Sequence, residues 1–269
     1  IAAGEVIERP ASAAKELVEN SIDAGASDIE ITVRDGGKSM LSVADNGVGM
    51  TRQDLELAIE RHATSKLTNN NLQAITTLGF RGEALPSIGA VSRFSLQSRA
   101  SQKDAAWMIN VEGGVVKSPT PTSHLRGTTA VVRDLFYATP ARLKFLRTER
   151  TESQRIIEAV KRIAISHPEV GFRLTVDGRP RLRYIAGKGE PVSMRLARLK
   201  AVMGAEFAEN ALSIDAQKTG MQVTGFAGVP TFNRANGAMQ YLFVNNRPVV
   251  DRLLVGAVRG SYADFLARN

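Results

Sequence analysis

The apolar residues follow two rhythms, one helical and one alternating. Leu17, Val18 and Ile22 recur at helical spacing. Pro10 suits a first helical turn, which needs no N–H, and Gly25 suits a left-handed cap, so the pattern predicts a helix over Pro10–Ala24. Ile29, Ile31 and Val33 then alternate with polar residues, Asp35-Gly36-Gly37 reverses the chain, and Leu41 and Val43 alternate again, which predicts a hairpin. A helix is predicted over Arg52–His62, then a long polar loop over Thr64–Gly82 and a helix opening near Glu83. Strands are predicted at Phe94–Ser98, Ala106–Glu112 and Thr128–Asp134, and a long helix over Glu152–Ser166, ended by Pro168. Phe172–Val176 and Leu182–Ile185 flank Asp177-Gly178 as a second hairpin. Glycine and proline cluster over Ala186–Pro191, which predicts a boundary there, with domains over residues 1–187 and 188–269. Beyond it the pattern gives a helix near Val192–Met203, strands near Ala211–Asp215, Met221–Val229 and Met239–Val244, and a closing helix from Arg252. Hairpins interleaved with helices indicate α+β layers rather than alternating βαβ units.

Composition narrows the picture. With 269 residues, 43% hydrophobic and 23% charged, the chain can bury a real core, which excludes disorder as its main character. The absence of Cys removes disulfides and thiolate metal sites, and His62, His124 and His167 are too scattered for zinc. No apolar run approaches the roughly 18 residues that span a bilayer. The first residue is Ile and no signal-peptide pattern precedes the first helix, so residues preceding Ile1 are expected to be missing. A formal net charge of +8 permits contact with nucleic acid or an anionic membrane surface. It concentrates in Ala141–Arg150, where Arg142, Lys144, Arg147 and Arg150 face one acid, Glu149; a solvated face would read the same way.

Three short motifs carry candidate chemistry. Glu16, Asn20 and Asp23 share one face of the first helix, where a carboxylate and an amide can hold a divalent ion and a water; an ordinary polar face has the same spacing. Asp45-Asn46-Gly47-Val48-Gly49-Met50 follows a strand, placing an acceptor for an exocyclic base amine beside two glycines that admit a flat ligand, though a plain turn also fits. Gly79-Phe80-Arg81-Gly82-Glu83-Ala84-Leu85 opens a helix whose free N–H groups suit phosphate, with Arg81 as a cation. No Gly-x-x-x-x-Gly-Lys-Ser/Thr loop is present.

Taken together with Ile1–Val6, Lys15–Ser21, Asp23-Ala24-Gly25, Arg61–Lys66, Asp134–Tyr137, Thr139–Arg142 and Lys144–Leu146, these segments closely resemble the N-terminal ATPase region of the bacterial MutL family of DNA mismatch-repair proteins, within the GHKL ATPases. The resemblance covers essentially the whole chain. It implies a Bergerat-type α/β sandwich, a mostly antiparallel sheet with helices on one face, followed by a truncated ribosomal-protein-like α+β domain. It implies ATP and Mg²⁺ as cofactors, with Glu16 as general base toward water, Asn20 as the Mg²⁺ ligand and Asp45 as the adenine reader. Gly47 and Gly49 would lie beside the nucleotide, Thr64, Ser65, Lys66, Arg81 and Gly82 in an ATP lid, and Thr128 near the adenine contact. DNA would meet Lys144, Arg147 and Arg252 through its phosphates, in a basic groove formed when two copies associate on ATP. A MutS-type mismatch sensor, a nicking endonuclease and a helicase are the implied protein partners, in the cytoplasm and without a membrane. An N-terminal arm ahead of Ile1 and a γ-phosphate-facing Lys beyond Asn269 are expected to lie outside the chain. A nucleotide-independent DNA clamp and another GHKL activity, such as a type II topoisomerase subunit or a histidine kinase, are the alternatives.

Overall fold

The computed structural model describes residues 7–60, 82–101, 103–233, 237 and 239–265. The chain divides into two compact units; the first runs to Val160 and resumes over Val170–Ala186, and the second takes Lys161–Glu169 and the chain from Gly187 onward. Lys161–Glu169 thus groups with the second unit although the chain returns to the first over Val170–Ala186.

The first unit is built on a twisted sheet. Helix α1 (Pro10–Asp23) leads into β1 (Asp28–Arg34) and β2 (Met40–Asp45). Helices α2 (Arg52–Ile59) and α3 (Ala84–Val91) precede β3 (Arg93–Arg99), β4 (Ala106–Glu112), β5 (Val115–Val116), β6 (Thr120–Thr122) and β7 (Gly127–Arg133). A short α4 (Pro140–Leu143) and the long α5 (Glu149–Ser166) lead to β8 (Gly171–Val176) and β9 (Arg179–Tyr184). The strand order is β5-β4-β3-β7-β2-β1-β8-β9, with β6 paired to β4. The β1–β8 pair is parallel and the other neighbours are antiparallel.

Alternation decides which side of the sheet is covered. Ile29, Ile31, Val33, Leu41, Val43, Phe94, Leu96, Ile109, Val111, Val132, Phe172 and Leu174 are all buried on one face. Against them pack Ala13, Ala14, Leu17 and Val18 of α1, Leu55 of α2, and Ile88 and Val91 of α3, and Ile156 and Val160 of α5 are buried as well. Each such Val, Leu, Ile or Phe side chain contributes roughly 1.5–3 kcal/mol by leaving water. The other face carries Thr32, Ser42, Gln97 and the ion-paired Arg93 and Arg173, so it faces water. Helix α1 ends as expected at Gly25 (φ 70°), where Gly25 N–H donates to Ile22 O and Ala26 N–H to Ser21 O.

The second unit contains α6 (Pro191–Met203), α7 (Ala205–Glu209), the β10–β11 hairpin (Ala211–Lys218, Met221–Gly228), the β12–β13 hairpin (Leu242–Val244, Arg247–Val249) and α8 (Arg252–Ser261). Asn245 and Asn246 both have positive φ, the geometry of a tight two-residue hairpin turn. Arg198 is the organising group. Only 4% exposed, it donates to Ala164 O (2.7 Å), His167 O (3.4 Å) and Pro168 O (3.1 Å), collecting the carbonyls left over at the end of α5. Arg198→Met leaves those carbonyls buried without donors and is expected to destabilise the second unit by about 3 kcal/mol. Hydrogen exchange in α6 and the last turn of α5 measures that loss; protection equal to the parent's refutes it.

Candidate nucleotide site

Two elements build the site, the polar face of α1 and the end of β2. Their junction is tight. A Cβ on Gly47 would lie 2.7 Å from Ala24 O, and Val48 N–H donates to that same carbonyl at 3.0 Å. Gly49 has φ 69° and a Cβ there would strike Arg99 O. The space both glycines leave is filled by the chain's own backbone, a demand that sequence alone does not reveal. Asn46 completes the corner, accepting from the N–H groups of Ser27 and Asp28 at 2.9 and 3.0 Å.

Asp45 sits at this corner. Its Oδ2 accepts from the Ser21 hydroxyl at 2.8 Å and its Oδ1 from Gly47 N–H at 2.9 Å. Burial pushes its carboxyl pKa up, against the stabilising hydrogen bonds from Gly47, Ser21 and the backbone of Thr128 and the charge of His124. Thr128 stands opposite Asp45 in the β2–β7 register. The Thr128 hydroxyl meets Ser98 Oγ at 2.8 Å, and Ser98 Oγ also donates to Gly127 O and accepts from Met50 N–H, each at 2.8 Å. His124 Nε2 lies 2.8 Å from Thr129 Oγ1, and Arg126 donates to Gly47 O at 3.2 Å. The polar floor is thus assembled from β2, β3 and β7.

Glu16 and Asn20 lie on α1, the helix that also carries Ser21. Glu16 keeps 30% of its side chain exposed, with Lys15 Nζ 3.5 Å away. Lys15 also pairs with the buried Glu19 at 2.8 Å. Burial pulls Lys15 down, but its bonds and charge interactions with Glu19 and Glu16 outweigh that and its pKa rises, while burial raises Glu19. The structure therefore brings Asp45, Gly47, Gly49 and Thr128 into one corner beside the helix of Glu16 and Asn20. Gly82 (φ 61°) stands just ahead of α3, whose first residues have no side-chain cap. Thr64, Ser65, Lys66 and Arg81 lie outside the described residues. Lys144 and Arg147 are exposed beyond α4 in the first unit, and Arg252 is exposed at the start of α8 in the second. Ser21 and Ser98 were not among the expected site residues. Their partners lie 24 and 30 residues away, so no local pattern announces them.

The donor set suits a nucleotide: a clamped carboxylate for a base amine, an amide oxygen for a hard cation and a helix start for phosphate. Among the described residues no cluster of three or more His, Cys, Asp or Glu could hold a metal by itself, and no helix is long and apolar enough to cross a membrane.

Residues 7–126 match the family model of histidine kinase-, DNA gyrase B- and HSP90-like ATPases, and residues 199–269 that of the DNA mismatch repair protein, C-terminal domain. The chain is 55% identical over its whole length to the DNA mismatch repair protein MutL of Paramagnetospirillum magneticum, of which it spans 44%. It is 56% identical, again over its whole length, to that of Rhodospirillum rubrum, of which it spans 43%. Among solved structures, the Aquifex aeolicus MutL ATPase domain complexed with ADP aligns with a TM-score of 0.74 and 30% identity, covering 95% of this chain and 88% of that one. The N-terminal domain of a DNA repair protein aligns at 0.80 and 28%, covering 98% and 81%. The Bergerat-type sandwich and the ribosomal-protein-like α+β domain after it are therefore the fold of this chain.

Two outcomes test the corner. A carboxyl whose folded pKa is raised makes the folded state hold its proton longer, so its stabilising share exists at low pH and is lost as pH rises through the ordinary Asp value and the folded one. Above its raised pKa, Asp45 opposes folding relative to an ordinary Asp. Asp45→Asn is expected to melt no lower than the parent without ligand, yet to lose the stabilisation that ADP confers; melts with and without ADP decide. Gly49→Ala forces both a positive φ and a collision with Arg99 O, and is expected to cost about 3 kcal/mol in urea unfolding.

Proposed function

The chain belongs to the MutL family of DNA mismatch-repair proteins, and from that premise we propose that it is the ATP-operated switch of such a protein. The observation that carries the reading is the 2.8 Å hydrogen bond from Ser21 to Asp45, because it ties the helix of Glu16 and Asn20 to the strand end that would read the base.

Bound Mg²⁺-ATP supplies a polarised γ-phosphate and an adenine amine. Asp45 accepts from that amine, its second oxygen being fixed by Ser21 and Gly47, and Thr128 stands across from it. The Asn20 side-chain oxygen would hold the Mg²⁺ that accompanies ATP. The Glu16 carboxylate takes a proton from the attacking water. Thr64, Ser65, Lys66, Arg81 and Gly82 close over the phosphates, and Gly47 and Gly49 hold the corner on which the base rests. ATP favours the closed, dimeric form through contacts to its last phosphate that ADP lacks, and slow hydrolysis releases it. Residues 1–187 act as the ATP-binding domain and residues 188–269 as the second domain that follows it. Lys144, Arg147 and Arg252 meet DNA phosphates, giving salt-sensitive, sequence-independent binding. In this role the protein works in the cytoplasm, between a MutS-type mismatch sensor and a nicking endonuclease and helicase.

Calorimetry with a non-hydrolysable ATP analogue is expected to show saturable, Mg²⁺-dependent binding. Asn20→Ala is expected to abolish the gain that Mg²⁺ gives. Glu16→Ala is expected to leave the affinity within about twofold and, in a chain as long as its relatives, to lower turnover at least about 100-fold. Equal turnover refutes the role of Glu16, and absence of analogue binding refutes the pocket.

A further inference from the structure

We infer that Ser98, acting through Thr128, is a positioning residue that sets base specificity. It fixes the Thr128 hydroxyl as a hydrogen-bond acceptor, so the site selects a base with an exocyclic amine over one with a carbonyl there. The inference rests on the nucleotide reading of Asp45 and Thr128 and adds to it a residue from a third strand.

Register sets the three side chains in one row. Ser98 of β3 stands directly opposite Thr128 of β7, and Thr128 directly opposite Asp45 of β2. Residues opposite each other in a sheet point to the same face. Here it is the helix-covered face, where Leu96, Ala130 and Val43, two residues back or on along each strand, are buried. Ser98 is fully buried, so its hydroxyl depends on protein partners rather than water. It has three, each at 2.8 Å: Met50 N–H, Gly127 O and Thr128 Oγ1.

Those partners decide where the protons go. A serine hydroxyl has one proton to give and two lone pairs to offer. Met50 N–H can only donate, so it takes one lone pair. Gly127 O can only accept, so it takes the proton. One lone pair remains, and Thr128 must donate into it. The single proton of Thr128 is therefore committed to Ser98, and its hydroxyl offers only lone pairs elsewhere. Among the described residues no other group bonds to that oxygen. Asp45 is an acceptor too, its two oxygens held by Ser21 and Gly47. Two acceptors on neighbouring strands suit an exocyclic amine, which has hydrogens to give. A carbonyl oxygen in its place sets lone pairs against lone pairs, and a buried polar group left unpaired is what rejects an analogue strongly. Without Ser98 the Thr128 proton is released, and the hydroxyl can turn to serve amine and carbonyl alike.

The test is calorimetric titration of the 269-residue chain with ADP and with inosine diphosphate, which carries a carbonyl oxygen where ADP carries the amine. The parent is expected to prefer ADP by at least about 100-fold. Ser98→Ala is expected to lower that preference about tenfold. Ser98→Cys fills the same space with a poor acceptor and is expected to give the same loss, which keeps the test open should the alanine variant fold badly. Thr128→Val is expected to match them, and the double variant Ser98→Ala with Thr128→Val to lose no more than either alone, because both act along one route. If both Ser98 variants weaken the two ligands equally, Ser98 is only structural and the inference fails while the pocket stands. Losses that add in the double variant overturn the route through Thr128. A parent that binds both diphosphates alike also overturns the inference and leaves the pocket in place. A parent that binds neither refutes the nucleotide reading itself.

Discussion

The close approach of two backbones, at Ala24 and at Gly47, sets the geometry of the corner at the candidate nucleotide site. Ala24 ends the helix that bears Glu16, Asn20 and Ser21, and Gly47 follows the strand that delivers Asp45. A side chain at residue 47 would force the two to shift apart, since its Cβ would stand 2.7 Å from the Ala24 carbonyl. With the glycine in place, Ser21 reaches Asp45 directly and the carboxylate is fixed at both oxygens. The site is thus held by the chain before any ligand arrives, which reduces the ordering that binding must accomplish.

That arrangement sets stability against recognition. Asp45 is pushed toward its neutral form by burial while its neighbours are arranged to favour the charged form. Glu19 and Lys15 repeat the pattern one turn away, where burial and pairing again oppose each other. A buried carboxylate with fixed donors offers a base amine an acceptor that water does not saturate, and the folded state carries the desolvation that this requires.

Much of the fold was legible because its signals are local. The alternation of Ile29, Ile31 and Val33 with Leu41 and Val43 is a hairpin in any context, and Pro10 and Gly25 bracket α1 by backbone chemistry alone. Strands β5, β6 and β13, of two or three residues, and the five-residue α7 are too short to carry a periodicity and escaped notice. The parallel pairing of β1 with β8 and the grouping of Lys161–Glu169 with the second unit depend on contacts across the whole chain. At the site, Glu16, Asn20 and Asp45 were visible as helix spacing and strand end. Ser21, Ser98 and the packing role of Gly47 were invisible, because each is defined by a partner distant in sequence. Arg198 was invisible for the same reason: nothing in a helical run of basic residues marks the one that will be buried.

The late arrival of β8 has a consequence for synthesis. Strand β1 is complete early, yet its parallel neighbour begins only at Gly171. At a ribosome's pace of about 5–20 residues per second, the edge of β1 waits on the order of ten seconds for its partner. During that interval Asp28–Arg34 presents an unsatisfied ladder that any extended segment could occupy. The charged residues along it, Asp28, Glu30 and Arg34, face the side of the sheet that stays wet and discourage a stranger from settling there. The nascent chain is therefore most vulnerable to mispairing after its nucleotide corner has been made and before its sheet is closed, and a chaperone would have to act within that window.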